Sequence, residues 1–137
     1  MTVTLNPYVN FDGNAREALE FYHSVFGGEL LTSTFGEYGQ GDGPDADKLM
    51  HGQLNGPGLT LMAADTPAGV PYQQPVGFSI SLSGGNDEDA TLRGYWAQLS
   101  EGATIVEPLE VAPWGDAFGM LTDRFGIGWL VNISGQA

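Results

Sequence analysis

The sequence contains no cysteine and only four basic residues, Arg16, Lys48, Arg93 and Arg124. Without cysteine there is no disulfide, no thiolate metal site and no thiol nucleophile, and the expected compartment is a reducing one, the cytoplasm by default. Seventeen acids against those four bases give a formal charge of -13. Such a field repels phosphate backbones and anionic headgroups, so neither nucleic acid nor a membrane surface is an expected partner. No apolar run approaches the roughly 20 residues of a membrane span, and the opening MTVTLNPYVNF lacks the basic start and apolar stretch of a signal peptide. Also missing are a G-x-x-x-x-G-K-[ST] phosphate loop, the G-x-S-x-G elbow of a serine hydrolase, and any G-x-G-x-x-G following a strand. What is there is a 137-residue chain, 42% hydrophobic, with 21 Gly and 8 Pro. Its length suits one core that buries about two-thirds of the unfolded surface, and is too short for two ordinary domains.

Val3, Leu5, Val9 and Phe11 alternate with Thr4, Asn6, Tyr8 and Asn10, the pattern of a half-buried strand. Asp12-Gly13 turns the chain, and Asn14, with Glu17 three residues on, is placed to cap a helix. Ala18, Phe21, Tyr22, Val25 and Phe26 then recur at helical spacing up to Gly27-Gly28. Strands are expected at about 29–35, 49–55 and 58–65, the last two joined as a hairpin by Asn55-Gly56 and Pro57-Gly58. The loop Gly36 to Lys48 is the expected mobile segment, and its Gly41-Asp42-Gly43 is too acidic to cradle a phosphate.

After a Pro-rich linker at 66–75 the order repeats. Val76, Phe78, Ile80 and Leu82 alternate with Gly77, Ser79, Ser81 and Ser83 in a strand. Asn86 or Asp87 caps a helix with Asp87, Glu88 and Asp89 in its first turn, where carboxylates complement the positive helix end. Leu92, Tyr95, Trp96 and Leu99 make its buried stripe, Gly102 ends it, and strands follow near 103–107, 117–123 and 127–134. The expected organisation is a single domain over 1–137 with modules at about 1–65 and 76–134. The repeat points to an internal duplication, with chance recurrence as the alternative.

Three segments narrow the family: NPYVNFDGNAREALEFYHSVFGGEL, KLMHGQLNGPGLTLMAAD and WGDAFGMLTDRFGIGWLVNI. In that order, and over nearly the whole chain, they resemble the PhnB-like branch of the vicinal oxygen chelate superfamily, the superfamily of glyoxalase I, bleomycin-resistance proteins and extradiol dioxygenases. The resemblance implies an α+β fold of two βαβββ modules whose mixed sheets curl into a half-open cup with the helices outside, usually as a homodimer. It implies a small-molecule ligand in the cup. It also implies metal-ligand positions at Tyr8 and His51 in the first module, and near Gly77 or Phe78 and at Leu130 in the second. A divalent ion needs several converging His, Asp or Glu donors. Only His51 is an ordinary ligand, and a phenol with a usual pKa of about 10 is a poor one. The divalent-metal set is therefore incomplete, unless a shifted register or a partner subunit supplies carboxylates. The methyltransferase label attached to parts of this branch finds no cofactor motif here.

His51 shares its strand side with Gln53, opposite Met50, Gly52 and Leu54. If the Met-Leu side packs on the helices, His51 faces the hollow as a base, a hydrogen-bond donor or a lone metal ligand; the alternative is a structural histidine bonded to a neighbouring strand. Tyr8, opposite the Val-Leu-Phe stripe, is placed to hold a substrate oxygen and line the pocket, or else is a packed aromatic. His51 and Tyr8 are the catalytic candidates. Tyr8, His51, Gln53, Ser79 and Trp114 are the ligand-binding candidates, Ser79 with Ser81 because they leave space, and Trp114 because an indole stacks on a flat ligand. For Trp114-Gly115-Asp116, plain structural closure is the alternative. Asp123-Arg124-Phe125-Gly126 reads as a turn, and His23, Glu107 and Glu110 as solvated residues.

Two functions fit these residues. One is a small-molecule-binding protein that holds a hydrophobic or cationic ligand against Trp114 and Tyr8. The other is a metal-dependent lyase, isomerase or dioxygenase acting on a small oxygen-rich substrate. The missing donors favour the first.

Overall fold

Along Tyr8–Phe11 the side chains alternate between exposed and buried, and this segment forms β1. Val3 and Leu5, expected on the same stripe, are wholly exposed. Pro7 explains the shorter strand: it has no N–H to donate, and only its carbonyl joins the ladder, accepting from Met62 N at 3.1 Å. The computed structural model describes residues 3–38, 45–67 and 69–135. Part of the expected mobile loop, 39–44 with Gly41-Asp42-Gly43, lies outside the described residues. The chain divides into two units, Met1–Gln74 and Pro75–Ala137.

In the first unit β1 leads to α1 (Ala15–Phe26), β2 (Glu29–Thr34), β3 (Leu49–Gly56) and β4 (Leu59–Asp65). The sheet order is β1-β4-β3-β2, with β1 parallel to β4 and the other pairs antiparallel. Ala18, Leu19, Tyr22, Val25 and Phe26 of α1 are buried, as are Val9, Phe11, Leu54, Leu61 and Ala63 of the strands. Gly52 lets helix and sheet approach, because a Cβ there would run into Leu19.

Three local expectations are corrected here. Asn14 makes no side-chain cap; Asp65, at the end of β4, accepts from Ala15 N at 2.9 Å and from Leu49 N at 2.9 Å instead. The hairpin turn is Pro57-Gly58 alone, with Gly58 at φ 73 and Gly56 still paired to Leu59, the arrangement of a type II turn. At the start of β3 it is Leu49, not Met50, that is buried, beside a register shift between Ser33 and Thr34.

The second unit repeats the plan with β5 (Ile80–Gly84), a short 3₁₀ turn at Asn86–Glu88, α2 (Asp89–Leu99), β6 (Thr104–Val111), β7 (Ala117–Thr122) and β8 (Gly128–Ile133). Its order, β5-β8-β7-β6 with β5 parallel to β8, matches the first sheet strand for strand. Leu92, Ala117, Val131 and Ile133 form its core, with Leu82, Tyr95, Trp96 and Leu109 packed against them.

The strand expected from Val76 begins only at Ile80. Gly77 sits at φ 86, which breaks the extended course, and Phe78 is half exposed. Neither Asn86 nor Asp87 caps α2, since both belong to the 3₁₀ turn. β6 runs on to Val111 through Pro108, which an edge strand with register shifts tolerates. Glu107 and Glu110, exposed as expected, therefore both stand on this strand. Asp123 is buried and accepts from Phe125 N (2.8 Å), Ile127 N (3.0 Å) and Trp129 Nε1 (2.8 Å), which makes the expected turn a clasp between β7 and β8.

Candidate functional site

The face of the first sheet turned away from α1 collects polar side chains from two strands that are not themselves paired. Tyr8 of β1 and Gln53 of β3 both stand opposite Met62 of β4, so the three share one row and one face. His51 lies two residues from Gln53, on the same face by the two-residue period of a strand. The Tyr8 hydroxyl meets His51 Nδ1 at 3.3 Å, and the two rings stand 5.6 Å apart and tilted by 47°. His51 Nε2 meets Gln53 Oε1 at 3.3 Å, and Gln53 Nε2 donates to Asn55 Oδ1 at 2.9 Å.

The donor pattern orders this line. Because the Gln53 amide nitrogen donates to Asn55, its oxygen is an acceptor, and the neutral imidazole carries its proton on Nε2. Nδ1 is then the acceptor of the Tyr8 phenol proton. The phenol oxygen keeps its lone pairs for a ligand donor. Because the O–H···N contact is long, an incoming donor can take its place at Nδ1. Tyr8 is 50% exposed and His51 and Gln53 are half-buried, so the line is reachable from solvent.

The structure thus brings Tyr8, His51 and Gln53 together. Asn55 was missed, although the same alternation that pairs His51 with Gln53 points to it. Ser79 and Trp114 lie in the second unit and are not brought together: Ser79 precedes β5 and Trp114 sits in the β6–β7 hairpin, at opposite edges of that sheet. Trp114 is 64% exposed and stands edge-on to Phe118 at 5.9 Å. Asp116 orients its surroundings, accepting from Asn132 Nδ2 at 3.2 Å and Gly135 N at 3.3 Å. His23 is exposed, and its Nε2 meets the Gly28 carbonyl at 3.1 Å, beyond the last turn of α1.

The residues do not fit a divalent metal. His51 is the one ordinary ligand on this face, its neighbours are a phenol and carboxamides, and Phe78 and Leu130 carry no side-chain donor. Among the described residues no three His, Asp or Glu side chains gather as a metal would require. A nucleoside methyl donor fits no better. The β1–α1 connection has a single positive-φ glycine, Gly13, and the amide of Ala15 at the helix start is taken by Asp65.

Two four-stranded mixed sheets, each with a helix on one face, define the class of the glyoxalase/bleomycin resistance protein/dioxygenase domains. One such domain, from Frankia sp. EAN1pec, aligns with TM-score 0.63 at 12% identity over 98% of this chain and 93% of its own. The model of the family described as 3-demethylubiquinone-9 3-methyltransferase matches residues 4–132, and the chain belongs to that PhnB-like family. Protein PA1353 from Pseudomonas aeruginosa is similar at 37% identity and TM-score 0.83, over 98% of this chain and 99% of its own. A PhnB protein from Bacillus cereus shares the fold at TM-score 0.72 and 23% identity, over 96% and 100% of the two chains. No helix among the described residues is long and apolar enough to cross a membrane.

Proposed function

We propose that this chain is a cytoplasmic, homodimeric small-molecule-binding protein that receives its ligand on the Tyr8–His51–Gln53 face. The observation that carries the reading is the hydrogen-bonded line Tyr8–His51–Gln53–Asn55 on a solvent-reachable sheet face. Its members present both donors and acceptors, and two of them are rings. That combination suits a small molecule with a flat apolar part and a hydroxyl, amide or carbonyl group. The donor set gives no support to metal-dependent catalysis.

Single-domain organisation, with modules at about 1–65 and 76–134, accords with the repeated strand order. The homodimer is supported by Ile105, Val106 and Val111, apolar and exposed on the edge strand β6. The test is a thermal-shift screen of aromatic, cationic and oxo-acid small molecules against the wild type, His51→Ala and Tyr8→Phe. A true ligand at a hundred times its Kd stabilises the wild type by about 2.7 kcal/mol, and both variants lose most of that gain. Ligands that stabilise the two variants as much as the wild type would overturn the assignment of this face.

A further inference from the structure

The second sheet holds an aromatic pair and two carboxylates that the reading above does not use. Leu109 packs on the core beside α2, and a Cβ at Gly119 would meet Trp96 at 2.8 Å, so both positions face the helix. Their neighbours Glu110, Phe118 and Met120 face the other way. Glu110 stands opposite Phe118 and Glu107 opposite Met120, and such opposed residues keep their Cβ atoms about 5 Å apart on one face. Trp114 stands edge-on to Phe118, with ring centroids 5.9 Å apart at 65°.

The indole is held on a short, tied turn. Ala112 N donates to the Asp116 carbonyl at 2.7 Å and Gly115 N to the Ala112 carbonyl at 2.9 Å, with Gly115 at φ 99. Asp116 spends its carboxylate on Asn132 and Gly135. Glu107 and Glu110 are exposed and have no hydrogen-bond or ion-pair partner among the described residues.

A carboxylate across the strand pair from one ring of an exposed aromatic pair discriminates between ligands by charge. An anion is repelled. A neutral flat molecule gains stacking alone, and a small metal ion stays hydrated. An organic cation, poorly hydrated, gains from the ring and from the carboxylate together. We infer that Trp114, Phe118 and Glu110 form a subsite for a planar or N-methylated organic cation, with Glu107 adding a second charge. The subsite deepens the small-molecule reading, yet it rests on the second sheet alone.

The experiment titrates N-methylquinolinium, and in parallel its neutral counterpart quinoline, into the full chain at mildly alkaline pH, following the heat of binding by calorimetry in every variant and the Trp114 indole N–H resonance in those that retain it. The cation saturates that resonance with an affinity about tenfold above quinoline. Glu110→Gln, an isosteric change at an exposed site, brings the two probes close to parity, and Trp114→Ala removes saturable binding while leaving the melting temperature unchanged. Tyr8→Phe and His51→Ala leave this titration as in the wild type, so its failure is distinct from failure of the Tyr8–His51 reading. Equal affinity for the two probes, or no saturation by either, would overturn the subsite. So would cation binding that survives both variants, which would trace the attraction to the overall charge of -13.

Discussion

Asp65 takes over a task that the local sequence offered to Asn14. Its two oxygens serve the amide at the start of α1 and the amide at the start of β3, and it is buried. Removing it leaves two N–H groups without an acceptor, so Asp65→Ala lowers stability by about 2–4 kcal/mol in urea denaturation, while Asn14→Ala changes it by less than about 0.5 kcal/mol. The Asp65–Ala15 bond joins positions 50 residues apart, which is why no capping pattern reveals it. Tyr72 makes a second test at this scale. Burial, and then the negative charge of Asp12, push its phenol above the ordinary value of 10.0. The protonated phenol is thus favoured in the folded state. That contribution is fully present below the ordinary phenol pKa and fades as pH rises through the folded one. Asp12→Asn lowers the Tyr72 midpoint, read from phenolate absorbance; an unchanged midpoint would discount Asp12 as a cause.

Among the elements, β3 carries the candidate site on one face and meets α1 on the other. Gly52 makes that possible, since any Cβ there presses on Leu19. Gly52→Ala costs about 1–3 kcal/mol, and Leu19→Ala in the same chain recovers part of the loss, a coupling that a double-mutant cycle measures. Additive losses would mean that the two side chains do not meet. The alternation along β3 was legible: it puts His51, Gln53 and Asn55 on one side whatever the strand pairs with. The partner of His51 was not. Tyr8 lies 43 positions away on a strand that reaches β3 only through β4. The first strands of both halves were read too long because alternation continues through Pro7 and Gly77, where the backbone itself departs from the ladder.

The whole molecule is governed by its acids. At its isoelectric point of about 4.1 the charge that keeps chains apart is gone, so turbidity peaks near that pH and clears above it. A protein equally clear across that range would show that charge is not what keeps it in solution. If β6 is the dimer surface, Val106→Lys halves the mass measured by light scattering, and an unchanged mass would place the surface elsewhere.

Composition and short-range periodicity were enough to determine the element order, the repeat of that order, the acidic field and the face on which His51 and Gln53 stand. Each of these depends on neighbours within a few residues. Tertiary structure alone decided that Tyr8 meets His51, that Asp65 closes α1 onto β3, and that Glu110 stands beside Phe118. Those contacts depend on which strands become neighbours and in what register. That choice comes from the packing of each sheet on its helix, a sum over distant side chains that no local pattern contains.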